Sequence, residues 1–503
     1  MAHTIIDAYT DEASGLGVPP YLGTHVRYAA GVMDNPYYLT IDDLRLLERR
    51  EEKRSEQKTD KGIKNVTRPV EDTKKILEKT KILVIVGGVH VPGKYLSAQP
   101  GTISEIIRLT KPYTCYKILY GPAFYGSEVM GARMTPKEYQ KKMLEHFNEL
   151  IGPGQLLKLS ALVRNEEYTP KKENYEDIEK YITKGASIVK QHPDFPKFVM
   201  YELETGRGCG HGACSFCTEG IKHKLEFREV KEIISEMKLV RELGVENFRF
   251  GKQSCFYSYQ NGNTKELERL LKSAHELRPK VLHIDNVDPT KVDEEKTKLI
   301  VKYCTPGNVA AMGVETFDTE VMKLNKLNVQ DPEEVIRAVK IINKYGLERG
   351  ENGMPKFLPG INIILGLAGE TKETLELNKK YLQYLLDNSL FVRRINIRQV
   401  AILLGTQMGK VGLKYVRKNK KHYYRFRKEV REKIDHEMLK KLFPEGTVLK
   451  NLRTESHDGN VTFCRQVATY PLIVGVRERI PLNQFKNIKI KKWMLRSVEG
   501  ELA

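Results

Sequence analysis

The feature that most constrains the fold is a regular alternation of apolar, β-favouring runs with amphipathic helical segments between residues 198 and 404. Runs such as FVMYELE, NVAAMGVE and INIILGL are each followed by a stretch with helical periodicity, and six such βα units fit into about 210 residues. An alternation of this length is typical of parallel strands closed into a barrel or part of one. The sequence therefore predicts a partial β/α barrel at residues 195–410, with functional side chains at the carboxyl ends of its strands.

The region before this barrel has an alternation of its own. KILVIV at 81–86 ends at a Gly-Gly pair, and the apolar run at 116–119 is followed by GPAFYG. Continuous apolar strands closed by glycine turns favour a doubly wound parallel sheet. We place this Rossmann-like α/β domain at residues 1–150 and a connector at 151–194.

The charge of the chain changes sharply after the barrel. Residues 410–441 contain 13 Lys and Arg against four Asp and Glu. This local excess of nine positive charges is nearly half of the formal net charge of +19. Short β-favouring runs separated by Gly and Pro follow to the end of the chain. This pattern predicts a basic helical linker at 411–443 and a small β-barrel at 444–503.

The overall composition limits the class of protein. The chain has 84 Lys and Arg but only 65 Asp and Glu. This excess of positive charge favours a polyanionic partner, with nucleic acid as the first candidate. The proportions of apolar residues, Gly and Pro exclude a collagen-like chain and a mainly disordered one. The sequence lacks a run of about 18 apolar residues and an N-terminal signal peptide. We therefore expect a cytoplasmic protein without a membrane partner.

Three of the seven cysteines lie within nine residues, in the segment ETGRGCGHGACSFCTEG. Cys209, Cys214 and Cys217 follow the first barrel strand on a glycine-rich loop, where three thiolates can surround one metal centre. A structural zinc site requires four N or S ligands, and His211 is too close to Cys209 in sequence to be a good fourth. Three cysteines without a fourth ligand fit a [4Fe–4S] cluster with one open iron. A structural zinc loop is the alternative.

This loop resembles the cluster motif of radical S-adenosylmethionine (SAM) enzymes. The final CSFC is characteristic, although four residues between Cys209 and Cys214 are one more than usual. The resemblance covers about residues 195–410 and implies that the three cysteines hold a [4Fe–4S] cluster whose open iron binds SAM. In this family one electron cleaves SAM to methionine and a 5′-deoxyadenosyl radical, which abstracts a hydrogen atom.

Later segments resemble the SAM-binding parts of the same family. FGKQS at 250–254 stands where the family contacts the SAM amine, and MGVETFDTEVMKLNK carries an acid at the ribose position. GINIILGLAGET at 360–371 resembles the adenine-side strand and turn, and the strand at 395–404 resembles the sixth. A plain surface acid is the alternative for Glu315. The resemblance implies these SAM-binding residues: Phe216, Gly251, Lys252, Glu315, Gly366, Gly369, Glu370 and Arg398.

The C-terminal segment resembles the TRAM domain, a small RNA-binding barrel found on tRNA-modifying enzymes. The similarity lies in EGTVLKNLRTESHDGNVTFCRQVATYPLIVGV and the closing SVEG. Cations here and in the preceding helix would neutralise phosphates, and Tyr470 and Trp493 would stack on bases. The predicted RNA-binding residues are Lys418, Lys420, Lys421, Arg425, Arg427, Arg465, Lys491 and Lys492.

The N-terminal domain resembles those of two kinds of radical SAM enzyme. GLGVPPYLG at 15–23 and VGGVH at 86–90 are similar to turns of cobalamin-binding domains, so cobalamin is a further candidate cofactor. Methylthiotransferases carry three N-terminal cysteines, whereas only Cys115 stands here, which argues against that activity. A second cluster built from Cys255, Cys304 and Cys464 is an alternative to three buried apolar side chains.

These features predict a three-domain radical SAM enzyme that modifies RNA, with tRNA as the first candidate substrate. The expected electron donor is a ferredoxin or a flavodoxin. One alternative is a cobalamin-assisted methylase of a small metabolite or a protein. The other is a zinc-stabilised RNA-binding protein without catalysis.

Overall fold

The computed structural model describes residues 2–9, 21–51, 63, 65–88, 96, 99–126 and 136–503. The chain divides into two compact units. The first comprises Met1–Leu203, Thr218–Glu246 and Ala401–Gly409, and the second comprises Glu204–Cys217, Asn247–Val400 and Lys410–Ala503. Every residue predicted to bind the cluster, SAM or RNA belongs to the second unit.

A five-stranded parallel sheet forms the centre of the first unit. Numbered along the chain, its strands have the order 2-1-3-4-5, which is the flavodoxin-like doubly wound arrangement. In spatial order the strands are Tyr37–Thr40, Ala2–Asp7, Thr80–Val86, Tyr116–Tyr120 and Glu149–Ile151. Ile6, Leu83 and Ile85 are fully buried in one core against the helices. The predicted doubly wound sheet is confirmed.

Helices follow the strands of this unit, as the alternation predicts. They are Thr24–Met33, Ile41–Glu51, Val70–Lys79, Ile103–Thr110, Pro136–Leu144, Leu156–Arg164, Tyr175–Gly185, Glu219–Lys222 and Val230–Glu242. The short strands Tyr21–Leu22 and Met200–Glu204 pair in parallel. Most of GLGVPPYLG and the last two residues of VGGVH lie outside the described residues, so the predicted cobalamin turns stay predictions.

The second unit contains the rest of the βα alternation. Asn247–Gly251 pairs in parallel with Val281–Ile284. A parallel sheet joins Asn286–Val287, Asn308–Glu315, Phe357–Leu365 and Arg394–Gln399 in that order. The helices between these strands are Thr264–Glu276, Glu294–Tyr303, Thr319–Leu324, Pro332–Gly346 and Lys372–Asp387. The predicted alternation of parallel strands and helices is confirmed.

The two faces of this four-stranded sheet differ in their side chains. Ile361, Ile363 and Ile395 are almost fully buried on one face. Because side chains alternate along a strand, Asn362 and Arg398 project from the opposite face, where both are partly accessible to solvent. A polar, partly open face is therefore available for binding.

A run of short helices connects the sheet to the C-terminal barrel. The helices are Gln407–Val411, Lys414–Lys418, Lys420–Val430 and His436–Leu442, with a π-helical turn at Arg431–Asp435. The five strands Val448–Asp458, Val461–Gln466, Val474–Val476, Phe485–Trp493 and Val498–Leu502 close into a barrel. This confirms the predicted small β-barrel, and Cys464 is a fully buried member of its apolar core. None of the described helices is both long and apolar enough to span a bilayer.

Candidate active site

The three cysteines lie on a loop, residues 208–217, that follows the first strand of the βα alternation and the short strand Gly206–Arg207. Cys209 and Cys214 are half-buried, and Cys217 is exposed. The backbone N–H of Gly212 donates a hydrogen bond to Cys209 Sγ at 3.4 Å. A donor in this position stabilises a thiolate and tunes a metal cluster attached to it.

The chain just before this loop is fixed to the end of the strand Asn247–Gly251. Thr205 donates its N–H to the carbonyl of Gly251 at 3.3 Å and its hydroxyl to Gln253 Oε1 at 2.7 Å. Lys252 has a φ of 67°, a strained value for a residue other than glycine and one often found at functional sites. Phe216 is half-buried between the last two cysteines. The predicted contacts Gly251 and Lys252 therefore lie beside the loop.

Asn325, which the sequence analysis missed, joins the cysteine loop to a second part of the site. Its Oδ1 accepts the Ser215 hydroxyl at 2.7 Å, and its carbonyl accepts the Ser215 N–H at 2.9 Å. The same side chain donates to the Ala368 carbonyl at 2.8 Å and accepts the Ala368 N–H at 3.2 Å. Nearby, His211 Nε2 lies 2.7 Å from the Lys326 carbonyl. A lone asparagine in MKLNK carries no motif that would have revealed this role.

The electrostatics of the loop favour a positively charged centre. Burial, together with the acidic groups of Cys217, Glu315 and Cys209, raises the pKa of Cys214 to about 12. A four-iron cluster distributes its thiolates over separate iron atoms, so this donor set fits such a cluster.

Glu315 ends the strand Asn308–Glu315, at the position where the family resemblance implies an acid on the ribose side of SAM. The register with the next strand shifts between Gly313 and Glu315, and Glu315 has a positive φ of 66°. Its Oε2 is buried and has no hydrogen-bond partner among the described residues. Burial raises the pKa of Glu315 to about 8, while the charge of Arg398 acts to lower it. A strained, unsatisfied carboxylate of this kind fits a ligand that donates hydrogen bonds, such as a ribose.

The turn at residues 366–370 also has a backbone that only particular residues can adopt. Gly366 and Gly369 have φ of 92° and 84°, and a Cβ on Gly369 would lie 2.7 Å from Leu324 Cδ2. Glu370 is nearly fully buried and accepts the Gly366 N–H at 2.9 Å through Oε2. Asn419 donates to its other oxygen at 3.0 Å. Glu370 therefore stabilises the turn. Its predicted contribution to SAM binding would be indirect, through the turn backbone that it holds in position.

Two residues predicted to touch RNA are buried in the structure, and these predictions are corrected. Arg465 is 2% exposed and forms two hydrogen bonds with Glu455, at 2.5 and 2.7 Å. The Tyr470 hydroxyl donates to Asp285 Oδ1 at 3.0 Å, and its ring lies 4.5 Å from the guanidinium of Arg394. Both side chains form hydrogen bonds with groups inside the protein, so neither is available to bind a phosphate or a base.

The two other cations predicted to bind RNA in the small barrel are exposed but largely neutralised. Lys491 lies 3.4 Å from Glu501, and Lys492 lies 3.5 Å from Glu499. Trp493, predicted to stack on a base, is half-buried and donates its indole N–H to the Phe443 carbonyl at 2.7 Å.

The basic helices present their cations differently. Lys418, Lys420 and Lys421 are exposed, and none forms an ion pair within the described residues. Arg425 is exposed and pairs with Glu429 at 2.9 Å. The guanidinium of Arg427 is half-buried over the neighbouring tyrosine rings, 5.2 and 5.3 Å from their centroids.

Comparison with known proteins agrees with the chemistry of the cysteine loop. The radical SAM superfamily profile matches residues 203–381, which include the three cysteines, Glu315 and the 366–370 turn. An uncharacterized protein of Methanocaldococcus jannaschii is 38% identical over 533 residues, covering 99% of this chain and 93% of its own length. Residues 203–381 of the chain therefore form a radical SAM superfamily domain.

Two further proteins are similar over smaller shares or at lower identity. The ribosomal protein uS12 methylthiotransferase RimO of Clostridioides difficile is 24% identical over 219 residues, covering 40% of this chain and 47% of its own. Among solved structures, the radical SAM methyltransferase TsrM from Kitasatospora setae covers 81% of this chain and 75% of that chain. The sequence identity is 13% and the TM-score is 0.49.

Membership of the superfamily gives the enzyme a [4Fe–4S] cluster and SAM as cofactors. The residues present fit both: Cys209, Cys214 and Cys217 would hold the cluster, and Glu315 would hold SAM through its unsatisfied oxygen. When bound, the cluster supplies the electron that cleaves SAM. The hydrogen bonds of Asn325 hold the cysteine loop and the turn at fixed positions for these ligands.

Proposed function

We propose that this radical SAM enzyme modifies an RNA nucleoside and that its substrate is a tRNA. The observation that carries the proposal is the attachment of the basic helices to the 366–370 turn. Exposed cations thereby stand next to the predicted SAM site, where a polyanionic substrate has to approach the reacting atoms.

The attachment consists of direct packing and hydrogen bonds. A Cβ on Gly366 would lie 2.6 Å from Val416 Cγ2, so the helix Lys414–Lys418 packs against the turn backbone. Asn419, between the two basic helices, donates to the Glu370 carbonyl at 3.1 Å as well as to its side chain. Both ends of the turn therefore contact the same basic segment.

The exposed charges on this segment suit a phosphate backbone. Each phosphate that a Lys or Arg neutralises strengthens nucleic-acid binding in a salt-dependent way, because counterions are released. The ion pairs Arg425–Glu429 and Lys379–Glu429, both at 2.9 Å, use the single carboxylate of the helix Lys420–Val430. The exposed cations of the two helices are Lys414, Arg417, Lys418, Lys420, Lys421, Arg425 and Lys428.

The enzyme's own residues then have separate tasks. Glu315 binds the ribose side of SAM, and the glycines of the 366–370 turn let the backbone approach the adenine side. The basic helices bind and orient the RNA. Reducing equivalents come from a ferredoxin or flavodoxin. A methylase of a small metabolite would make no use of the basic surface, with or without cobalamin.

Mass spectrometry of tRNA nucleosides tests the proposal. Total tRNA from a strain lacking this gene should lack one modified nucleoside, and the wild-type gene should restore it. The Cys214→Ala gene should not restore it, although the protein accumulates to the same level. Identical nucleoside profiles in all strains would contradict the proposal, and a changed small-molecule or protein profile would favour the metabolite or protein methylase.

A further inference from the structure

An arginine cluster lies beyond the basic helices, at the π-helical turn Arg431–Asp435. Its members are Arg393, Arg431 and Arg496, which come from three separate parts of the second unit. The charge of Asp435 acts on both Arg393 and Arg431. This residue is 9% exposed and its Oδ2 pairs with Arg496 Nε at 3.1 Å. The carboxylate of Asp435 thus interacts with all three guanidinium groups.

The donors of this cluster are incompletely satisfied. The Nε atoms of Arg393 and Arg431 are buried and have no hydrogen-bond partner in the described part of the chain. Arg393 donates through Nη2 to the Tyr470 carbonyl at 3.3 Å and lies 5.8 Å from the ring of Phe443. Buried charged donors without acceptors are unfavourable, and native structures normally supply a partner.

Repulsion between the positive charges makes this arrangement still less favourable. Burial and the charge of Arg496 together lower the pKa of Arg393 to about 10, although Asp435 acts to raise it. Burial likewise lowers the pKa of Arg431, and Arg496 and Arg427 lower it further. As whole residues, Arg393 and Arg431 are still partly accessible to solvent, although their Nε atoms are buried. Forked guanidinium donors match the oxygens of a phosphate group.

The cluster continues the basic surface defined above. Arg427 lies one helical turn before Arg431 on the same run of helix, and the helix Lys420–Val430 begins at Asn419 beside the 366–370 turn. Eleven residues of helix span roughly 16 Å at ~1.5 Å per residue. A nucleic acid strand lying along the helix would therefore reach the cluster while one nucleoside remains near the turn.

We propose that Arg393, Arg431 and Arg496 form a phosphate-binding site that anchors the backbone of the substrate RNA at the far end of the basic helix. The identification of RNA as the ligand of this site rests on the proposed function. The phosphate chemistry itself rests only on the arginine geometry. The two can therefore fail separately.

The main test compares Arg431→Gln with Arg269→Gln. Both variants remove one positive charge, but Arg269 lies on the helix Thr264–Glu276 and pairs with Glu266 at 3.0 Å. In tRNA-binding titrations over a range of KCl concentrations, Arg431→Gln should weaken binding about tenfold or more, the scale of a charged hydrogen bond. Its slope of log K against log salt should fall by about 0.7–0.9. Arg269→Gln should change neither quantity.

The melting temperature distinguishes a binding role from a structural one. Ligand-free Arg431→Gln should melt at or above the wild-type temperature, because an unsatisfied, repelled cation has been removed. A clear fall in the melting temperature, with unchanged tRNA binding, would overturn the proposal.

Inorganic phosphate separates this site from the proposed function. Against chloride at equal ionic strength, phosphate should raise the melting temperature of the wild type and of Arg269→Gln, but not of Arg431→Gln. If this holds while tRNA fails to bind, the site stands and the RNA function is wrong. If tRNA binds wild type and Arg431→Gln equally and phosphate stabilises both equally, the RNA function stands and this site is wrong.

Discussion

The basic helices and the C-terminal barrel are both rich in cations, but their charges have different surroundings. In the barrel, Arg465 is buried against Glu455, while Arg477 and Lys492 both face Glu499. In the helices, Lys418 and Lys420 are exposed, and within the described residues neither has an ion pair. A count of cations therefore does not measure the charge available to a partner, because cations beside internal acids are already neutralised.

The largest expected effect concerns stability and belongs to the barrel. Arg465→Ala leaves Glu455 as a buried, unpaired carboxylate, so the free energy of unfolding should fall by about 3–5 kcal/mol in urea titrations. The double variant Arg465→Met with Glu455→Leu should recover most of this loss, since neither charge remains. Full stability together with weakened tRNA binding in Arg465→Ala would restore this residue as an RNA contact.

The next effect concerns binding and belongs to the helices. Replacing Lys418, Lys420 and Lys421 by Glu should lower tRNA affinity about a hundredfold or more, and the salt slope should fall by about 0.7–0.9 for each lost phosphate contact. Filter-binding titrations in increasing KCl measure both quantities.

The matched control reverses Lys265, Arg269 and Lys272, three exposed cations on the helix Thr264–Glu276. It imposes the same change in net charge at a different place. Equal losses in the two triple variants would mean that net charge alone, rather than the surface beside the turn, governs binding.

A smaller effect is expected from pH at the junction of turn and helix. Burial raises the pKa of Glu370 to about 7, although the donors Gly366 and Asn419 act to lower it. Between the ordinary pKa of Glu and about 7, the folded state holds more protons than the unfolded state, so stability should fall as pH rises through this window. The expected decrease from pH 5 to 8 is about 1–3 kcal/mol.

Glu370→Gln should remove this pH dependence, because the amide does not titrate. Urea midpoints measured at pH 5, 6, 7 and 8 compare the two proteins directly. A wild type whose stability increases over this range would show that the hydrogen bonds outweigh burial and that Glu370 is ionised in the fold.

The smallest effect is expected from the exposed lysines of the barrel. Lys491→Gln and Lys492→Gln together should change tRNA affinity by less than about threefold, since surface ion pairs of this kind contribute about 0–1 kcal/mol and leave little free charge. A loss comparable to that of the helix variants would remove the distinction between the two regions.

Local sequence patterns predicted the βα alternation closely. The strand Asn308–Glu315 coincides with the run NVAAMGVE, because a continuous apolar run and the residues at its boundaries are local properties. Glu315 and the glycines of the 366–370 turn were identified through the resemblance to radical SAM enzymes, and the structure places Glu315 at the end of its strand.

Contacts between distant residues could not be predicted in this way. Tyr470 donates to Asp285, 185 residues away, and Asn325 reaches Ser215 across 110 residues. Burial of Arg465 depends on the barrel register that places it beside Glu455, and no local pattern specifies that register. The sequence therefore identified the residues that carry the proposed chemistry. The structure was needed to distinguish cations that are exposed and unpaired from cations that already pair with internal groups.

We propose that one enzyme couples SAM cleavage at the cysteine loop to RNA held by the basic helices. Anaerobically reconstituted protein should be incubated with SAM, a reductant and unmodified tRNA, and 5′-deoxyadenosine and tRNA nucleosides should be quantified together. We predict that tRNA stimulates 5′-deoxyadenosine formation and gains a modification in the wild type. The Lys418, Lys420 and Lys421 triple variant should lose this stimulation, and Cys214→Ala should form no 5′-deoxyadenosine. Cleavage that tRNA does not affect, with no change in nucleoside mass, would contradict the account.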